Sequence, residues 1–238
     1  MDLDSLPLSA CGEYRCLSHL DLYNAPREGN LATQAAKGRQ LRILPDTATP
    51  EAVKVQLCED DYQAWLRYPL LSQLEPAESV YEASVMSRAE IEPDLPQVIA
   101  FALAASERPN HYLWGGTVAP NYDCSGLMQA AFGSVGVWLP RDAYQQAAWV
   151  KRISWQELAP GDLIFFQKAS YISHVALYLG DNRYIHSSGR EIGRNGIGID
   201  ELSDRNPISQ AYYQRRSHAG RVMASFLPGT LLPTRGEG

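Results

Sequence analysis

The sequence predicts an α+β protein in which a small N-terminal β-barrel precedes a domain of helices packed on an antiparallel sheet. Short alternating segments separated by turn residues fill the first part of the chain, a helical stripe begins at Leu95, and a hairpin pattern follows at residues 174–186. We expect residues 1–75 to form the barrel, residues 76–94 to be a linker, and residues 95–238 to form the second domain.

The barrel is predicted from short strand candidates separated by turn-rich pieces. These candidates are residues 13–23, 39–44, 52–58 and 62–67. In the third candidate, Val53, Val55 and Leu57 alternate with polar residues, which is typical of a half-buried strand. Several short strands with a long first loop favour a small barrel.

The linker is acidic and bracketed by prolines; its scattered apolar residues are compatible with a short helix, but the pattern is too weak to predict one. The stripe that follows predicts a helix from Leu95 that ends near Pro109. Its apolar positions are Leu95, Val98, Ile99, Ala102 and Leu103. We expect this helix to pack against the next helix or against the sheet.

A cysteine lies at the start of the next predicted helix. Apolar residues recur at helical spacing between Leu127 and Phe132, and Asp123 is a favourable N-cap residue. Cys124 therefore falls in the first turn, where unpaired backbone amides and the helix dipole favour a thiolate. The same amides are placed to hydrogen-bond an oxyanion that forms on an attacked carbonyl.

Two histidines lie on the predicted hairpin. If residues 180–182 form its loop, Leu179 faces Arg183, and counting outward places His186 opposite Ala176. His174 is then the diagonal neighbour of His186 on the same face. The opposite face is apolar and points into a core; its residues are Val175, Leu177, Leu179 and Ile185.

These groups together suggest a thiol hydrolase. A cysteine nucleophile needs a base to remove its proton, and the base needs a partner that holds its orientation. Cys124, His174 and His186 are the candidates for these three roles. The non-catalytic alternative is a structural cysteine with two unrelated surface histidines. It requires the placement of both histidines on the same face of the hairpin to be accidental.

Short motifs occur in a fixed order between residues 95 and 223. They are Tyr112-x-Trp114-Gly115-Gly116, Asp123-Cys124-Ser125-Gly126, Leu139-Pro140-Arg141, Pro160-Gly161-Asp162-Leu163 with Phe165, His174-Val175, and His186. As an ordered set they resemble the NlpC-type peptidases, a papain-like family of cell-wall cysteine hydrolases. The resemblance implies Cys124 as nucleophile, His174 as general base and His186 as the residue that orients His174. It also implies contact of Tyr112 with the nucleophile region, and cleavage of a peptide or isopeptide bond in peptidoglycan stem peptides.

The N-terminal segment resembles a bacterial SH3-like barrel, a common companion of NlpC-type domains. The resemblance extends to γ-D-glutamyl-L-diamino acid endopeptidases that require a free N-terminal L-alanine. In these enzymes the acidic residue after Leu-Pro-Arg holds the amine, and a tyrosine of the barrel closes the pocket. The positions implied here as substrate-binding are Asp142, Tyr62, Tyr112, Trp114, Asp123 and Ser125. Glu28, Asp60 or Asp61 are alternative sources of charge, and Asp142 is equally interpreted as the N-cap of a helix over residues 143–150.

The resulting hypothesis is hydrolysis of the γ-D-glutamyl-diamino acid bond in free L-Ala-γ-D-Glu-diamino acid peptides, with release of L-Ala-D-Glu during cell-wall recycling. The alternatives are an endopeptidase or amidase that acts on intact peptidoglycan, a related acyltransferase, and a wall-binding module whose hydrolase domain is catalytically inactive. The net charge of −6 argues against a nucleic-acid partner.

Localisation and metal content are predicted from weaker features. Residues 1–10 are acidic and lack the apolar core of an export signal, and no apolar run approaches the ~18 residues of a membrane span, so a cytoplasmic location without membrane association is expected. The four cysteines agree with a reducing compartment. Cys11, Cys16 and His19 lack a clear fourth ligand, so neither a metal nor another cofactor is predicted.

Overall fold

The computed structural model describes residues 6–192 and 194–233. Within these residues an N-terminal antiparallel sheet is followed by a domain of helices and a second antiparallel sheet, which is the predicted α+β class. The ends of the two predicted domains, residues 1–5 and 234–238, lie outside the described residues.

The N-terminal sheet has seven strands in the order β3-β2-β6-β5-β4-β1-β7. The strands are β1 (Glu13–Cys16), β2 (Leu20–Tyr23), β3 (Leu31–Ala35), β4 (Gln40–Ile43), β5 (Ala52–Leu57), β6 (Gln63–Arg67) and β7 (Leu74–Pro76). Their inward side chains form one core that includes Leu22, Leu41, Val55 and Leu66. The alternation seen in the sequence of β5 is present as alternating burial along most of that strand.

Two strand predictions in the barrel need correction. The candidate at residues 13–23 is two strands, because the chain turns between β1 and β2. Strand β3 was not predicted, and its two buried residues are Thr33 and Ala35. A small and a polar side chain give no apolar alternation, so the sequence of β3 resembles a loop.

The linker contains a short helix that the sequence did not predict. Helix α1 (Arg88–Ile91) begins with a capping box in which Glu90 accepts from both the backbone N–H and the hydroxyl of Ser87. Helix α2 (Leu95–Ser106) follows and buries Leu95, Val98 and Ala102, as the stripe predicted.

The second domain is built on a six-stranded antiparallel sheet with the order β10-β15-β11-β12-β13-β14. Its helices are α3 (Cys124–Gly133), α4 (Ala143–Trp149) and α5 (Pro207–Tyr213). Its strands are β8 (Thr117–Val118), β9 (Asn121–Tyr122), β10 (Lys151–Ile153), β11 (Leu163–Lys168), β12 (Tyr171–Gly180), β13 (Arg183–Ser188), β14 (Gly196–Glu201) and β15 (Arg216–Arg221), of which β8 and β9 form a separate two-stranded ribbon.

Both faces of the six-stranded sheet are covered. Helices α2 and α3 pack on each other, and α3 and α4 pack against β12 over a core that includes Phe132, Val175 and Leu177. On the opposite face Phe166, Tyr184 and Tyr212 form a second cluster. The histidine face of the hairpin is therefore covered by aromatic side chains.

The β12–β13 hairpin has the predicted register away from its loop. Leu177 pairs with Ile185, which places His186 opposite Ala176. The loop itself differs from the prediction, because Gly180 rather than Leu179 pairs with Arg183. Asp181 and Asn182 both have left-handed φ values of 52° and 58°, which suits a two-residue hairpin turn and leaves Leu179 in a bulge.

The barrel contacts the second domain through polar groups that approach the nucleophile helix. Gln34 Oε1 accepts from the backbone N–H of Thr117 at 3.1 Å, and Asp60 Oδ2 accepts from Gln129 Nε2 of α3 at 2.8 Å. No helix within residues 6–192 and 194–233 combines the length and apolarity that crossing a bilayer requires.

Candidate active site

Cys124 is the first residue of α3, as predicted. The Asp123 carboxylate caps the helix, since its Oδ1 accepts from the backbone N–H of Gly126 at 2.7 Å. A Cβ at Gly126 would lie 2.0 Å from the carbonyl oxygen of Gly116, so only glycine fits where the preceding loop crosses the helix. The Asp-Cys-Ser-Gly sequence thus fixes the sulfur at the head of a tightly packed helix.

A buried arginine supports this helix start. Arg141, only 1% exposed, donates to Asp123 Oδ1 at 3.1 Å and Oδ2 at 2.6 Å, and also to Ser125 Oγ at 3.0 Å. Its Nε donates to Thr33 Oγ1 of the barrel at 2.9 Å. Asp123 and Ser125 are therefore bound within the protein, and their contact with substrate stays a prediction.

The Cys124 side chain is 6% exposed, and this burial opposes the thiolate that the helix N-terminus favours. Burial raises the pKa of Cys124 to about 12, and the nearby Asp123 carboxylate adds to this rise. The backbone N–H groups of Val175 and Ser125 and the charge of Arg141 lower the pKa, but by less. The sulfur therefore rests as a thiol.

The two histidines of the hairpin are in direct contact. His174 Nε2 and His186 Nδ1 are 2.7 Å apart, and both side chains are buried. The ring of Tyr212 stacks on His174 with centroids 4.6 Å apart. Burial holds the pKa of His174 well below 6.5, and the charges of His186 and Arg215 add to this effect. His174 is therefore a neutral imidazole at neutral pH.

The nucleophile and the histidines meet at the peptide that joins His174 to Val175. The Val175 N–H is directed at the Cys124 sulfur, and helix α3 packs against β12, which carries His174. Because His174 Nε2 faces His186, its Nδ1 is the ring nitrogen left for the thiol proton. Direct proton transfer from Cys124 to His174 stays a prediction that this placement supports.

Two residues that the sequence did not reveal extend the histidine pair. His186 Nε2 lies 2.8 Å from Asp200 Oδ2, and Arg194 donates to both oxygens of Asp200, at 2.6 Å to Oδ1 and 3.0 Å to Oδ2. The alternation of Ile197 and Ile199 with Gly198 and Asp200 indicates a strand, but only the pairing of β14 with β13 brings Asp200 to His186.

Two aromatic residues of the Tyr-x-Trp motif differ in their surroundings. Tyr112 is half-buried, and its pKa is raised by burial and by the proximity of Cys124 and Asp123, so its hydroxyl remains protonated. The predicted contact of Tyr112 with the nucleophile region agrees with this proximity. Trp114 is 59% exposed and presents a flat apolar surface to solvent.

The structure brings Tyr62 and Asp142 into one cavity between the barrel and the second domain. This cavity of about 490 Å³ is also lined by Asp60 and Asp61 of the barrel. Burial and the adjacent Asp142 raise the pKa of Tyr62, so its hydroxyl is neutral. Glu28 lies exposed in the loop after β2, and it does not line this cavity.

The acidic residues around the cavity have different protein partners. Asp60 is paired with Arg39 at 3.0 Å, and Asp61 accepts from Gln56 Nε2 at 2.7 Å. Asp142 forms a capping box with Gln145 at the start of α4, as its helix-capping interpretation predicted. Capping uses a carboxylate oxygen without neutralising the charge, so the two interpretations of Asp142 are compatible.

The remaining cysteines have structural surroundings. Cys16 and Cys58 are buried, and Cys11 donates towards the carbonyl oxygen of Ala77 at 3.5 Å. His19 Nδ1 accepts from the backbone N–H of Lys37 at 3.0 Å. No group of three or more potential ligands among the described residues is arranged to hold a metal ion.

A cysteine at a helix N-terminus beside a hairpin that carries two hydrogen-bonded histidines is the arrangement of a papain-like thiol hydrolase site. Residues 109–222 match the NlpC/P60 family, and residues 22–68 match the bacterial dipeptidyl-peptidase Sh3 domain. The chain thus combines an NlpC/P60 domain with a bacterial SH3 domain.

Curated relatives resemble the second domain. The protein named Probable endopeptidase p60 of Listeria monocytogenes is 38% identical over 91 residues, which cover 38% of this chain and 18% of p60. The murein DD-endopeptidase/LD-carboxypeptidase MepS of Escherichia coli K12 is 38% identical over 115 residues, which cover 48% of this chain and 56% of MepS. The chain therefore matches less than two thirds of either relative.

Among solved structures, an NlpC/P60 family protein from Bacillus cereus is similar over a longer stretch. The similarity covers 89% of this chain and 63% of the other, with 24% sequence identity and a TM-score of 0.47.

Proposed function

We propose that this protein is a cysteine peptidase that hydrolyses the γ-D-glutamyl-diamino acid bond of free muropeptides. The observation that carries the proposal is the placement of the Cys124 sulfur against the His174–Val175 peptide, with His186 in contact with His174. The family match and the names of the relatives support hydrolysis of peptidoglycan peptides.

The chemistry is acyl transfer to sulfur followed by hydrolysis. His174 takes the thiol proton as the sulfur attacks the carbonyl carbon, and the tetrahedral oxyanion is stabilised by N–H groups at the head of α3 and by the protonated Tyr112 hydroxyl. The imidazolium then gives its proton to the leaving amine, and the C–N bond breaks. Water, activated by His174, hydrolyses the thioester and restores the thiol.

Because the resting pair is neutral, thiol deprotonation and attack are expected to occur together once substrate has entered. A thiol with a pKa of about 12 and an imidazole with a lowered pKa form little ion pair in the free enzyme. Substrate closes the site from water, and the developing negative charge moves from sulfur to the oxyanion donors. The donors therefore act on the transition state more than on the resting sulfur.

The cavity lined by Tyr62 and Asp142 supports recognition of a free amine. Asp142 supplies a carboxylate, and the neutral Tyr62 hydroxyl of the barrel lies close to it. The matched description of the barrel, a domain of bacterial dipeptidyl-peptidases, supports release of the dipeptide L-Ala-D-Glu. Free stem peptides of this kind suit a cytoplasmic recycling enzyme, and that location is part of the proposal.

The substrate proposal is tested with L-Ala-γ-D-Glu-diaminopimelate and the same peptide acetylated on its alanine nitrogen. We expect kcat/KM to fall at least about 10³-fold on acetylation, because acetylation removes the ammonium charge that the proposed carboxylate pocket binds. Mass spectrometry of the products identifies the bond that is cut. Equal cleavage of the two peptides would refute the amine pocket and leave the thiol chemistry intact.

Asp142→Asn is expected to lower kcat/KM for the free-amine peptide about 10²-fold, since a charge-assisted hydrogen bond is replaced by a neutral one. Asparagine is itself a good N-cap, so α4 should begin normally and the melting temperature should change little. The acetylated peptide serves as the control, because its slow cleavage should be nearly the same in both enzymes. A parallel loss on both peptides would mean that Asp142 acts through the helix alone.

The lowered pKa of His174 predicts the acid side of the pH profile. A base with a pKa below 6.5 keeps its unprotonated form to lower pH than an ordinary histidine, so kcat/KM should stay near its maximum at pH 6.5 and fall only below it. The measurement is kcat/KM between pH 4.5 and 7.5 on the free-amine peptide. Half-maximal activity above pH 6.5 would contradict the neutral buried base.

The second candidate function is endopeptidase action on intact peptidoglycan. The names of p60 and MepS favour it, because p60 is described as a probable endopeptidase and MepS as a murein endopeptidase. Digestion of purified sacculi beside the free tripeptide separates the two functions. Faster release from sacculi would favour this second function over the recycling proposal.

A further inference from the structure

The contact between His174 and His186 has two possible polarities, and only one of them suits catalysis. A neutral imidazole carries one proton, so either His174 Nε2–H donates to His186 Nδ1, or His186 Nδ1–H donates to His174 Nε2. In the second polarity His174 carries its proton on Nδ1. That nitrogen cannot then accept the thiol proton, and the two rings alone provide no strong preference between these states.

Asp200 breaks this symmetry at the far nitrogen of His186. An ionised carboxylate only accepts hydrogen bonds, and Asp200 Oδ2 lies 2.8 Å from His186 Nε2. His186 therefore keeps its proton on Nε2, its Nδ1 accepts from His174 Nε2–H, and Nδ1 of His174 is left unprotonated. A charge-assisted hydrogen bond is strong enough to favour this state by about 10- to 150-fold.

The structure also keeps Asp200 ionised. Burial opposes ionisation of the carboxyl, but hydrogen bonds from His186 and Arg194 outweigh burial and hold its pKa below the ordinary value. Arg194 reaches Asp200 across Gly198, where a Cβ would lie 1.9 Å from the guanidinium Nη1. Gly198 also pairs with His186 in the β13–β14 ladder. Because Gly198 has no side chain, the Arg194 guanidinium can cross the strand at this position.

On the basis of the thiol chemistry proposed above, we propose that Asp200 is a positioning residue that selects the base-competent tautomer of His174 through His186, with Arg194 keeping it charged. His174, His186, Asp200 and Arg194 then form one continuous chain of hydrogen bonds. A carboxylate stabilises the imidazolium that forms during attack, and here it does so one imidazole removed from the base.

The direct test is the tautomeric state in long-range ¹H–¹⁵N spectra of ¹⁵N-labelled protein at neutral pH, with His174→Gln and His186→Gln used for assignment. Both rings should be protonated on Nε2 in the unchanged protein. A His186 ring protonated on Nδ1 would overturn the proposal. This measurement needs no substrate, so it decides the tautomer proposal even if the muropeptide is not cleaved.

The kinetic test is Asp200→Ala. We expect kcat to fall about 10²-fold with KM changed by less than about threefold, and the His186 signal to move to the Nδ1–H form or to a mixture. Asp200→Glu should recover at least about a tenth of the lost kcat, because it restores an acceptor. A normal kcat, or an unchanged His186 signal in Asp200→Ala, would contradict the proposed role.

Asp162→Ala is the matched control. Asp162 is also a buried carboxylate bound through both oxygens by one arginine, Arg221 at 2.8 and 2.7 Å, but within the described part of the chain it has no hydrogen bond to a histidine. Its loss should destabilise the fold without altering the histidine tautomers or kcat per folded molecule. If both variants changed kcat equally, Asp200 would have only a structural role.

Discussion

Cys124→Ala is expected to reduce kcat for the free muropeptide by about 10⁴-fold or more. The alanine removes the sulfur that we propose forms the covalent intermediate, and knockouts of a nucleophile in a hydrolase triad have effects of this size. Binding should persist, because no charge is removed and the cavity lined by Tyr62 and Asp142 is unchanged. Rates from product analysis and affinities from calorimetry measure the two effects separately.

Cys58→Ala is the control for this prediction. Cys58 is another buried thiol with a raised pKa, but it lies in the barrel beside Glu13 and Arg42. Its replacement should leave kcat unchanged. If the Cys124 variant kept more than about a tenth of the activity, the thiol mechanism would be wrong, because the hydrolysis would then use a nucleophile other than the Cys124 sulfur.

Local patterns predicted the parts of the site that depend on local structure. An aspartate before an apolar i, i+3, i+4 stripe marks a helix start, so Cys124 could be placed in a first turn. The alternation of side chains along paired strands was sufficient to place His174 and His186 on one face of the hairpin. The hairpin loop was misassigned by one residue, because the sequence Gly180-Asp181-Asn182 is compatible with loops of two or three residues.

Other parts of the site depend on tertiary structure that a single sequence does not contain. Asp200 and Arg194 reach His186 only through the register of β14 on β13, and no local pattern specifies which strand pairs there. The protonation state of Cys124 depends on tertiary structure in the same way. The helix N-terminus is visible in the sequence and favours a thiolate, but the burial that outweighs it is produced by the packing of α3 against β12.

Arg141→Met is expected to destabilise the fold by about 3–5 kcal/mol. The substitution keeps the approximate length and apolar bulk of the side chain, but it leaves the buried Asp123 carboxylate without its cation, and an uncompensated buried charge has a cost of this size. For a chain of this length the melting temperature should fall by about 6–20 °C. Thermal unfolding followed by circular dichroism is the measurement.

Two further variants separate the charge effect from lost packing. Arg15→Met removes an arginine from the exposed Arg15–Glu75 pair and should leave the melting temperature almost unchanged, because exposed ion pairs contribute little. The double variant Asp123→Asn/Arg141→Met removes both buried charges and should recover a large part of the loss. If the double variant were no more stable than Arg141→Met, the loss of stability would come from lost packing around the guanidinium and not from the unpaired Asp123 carboxylate.

The activity of the Arg141 variant connects stability with catalysis. Arg141 joins Thr33 of the barrel to the carboxylate that caps α3, so one side chain fixes both the relative position of the barrel and the direction of the helix that carries Cys124. We therefore expect kcat per folded molecule to fall in Arg141→Met even well below its melting temperature. The Arg15 variant should keep its full kcat. Normal catalysis in folded Arg141→Met would mean that the helix start is held by Asp123 and its backbone hydrogen bonds alone.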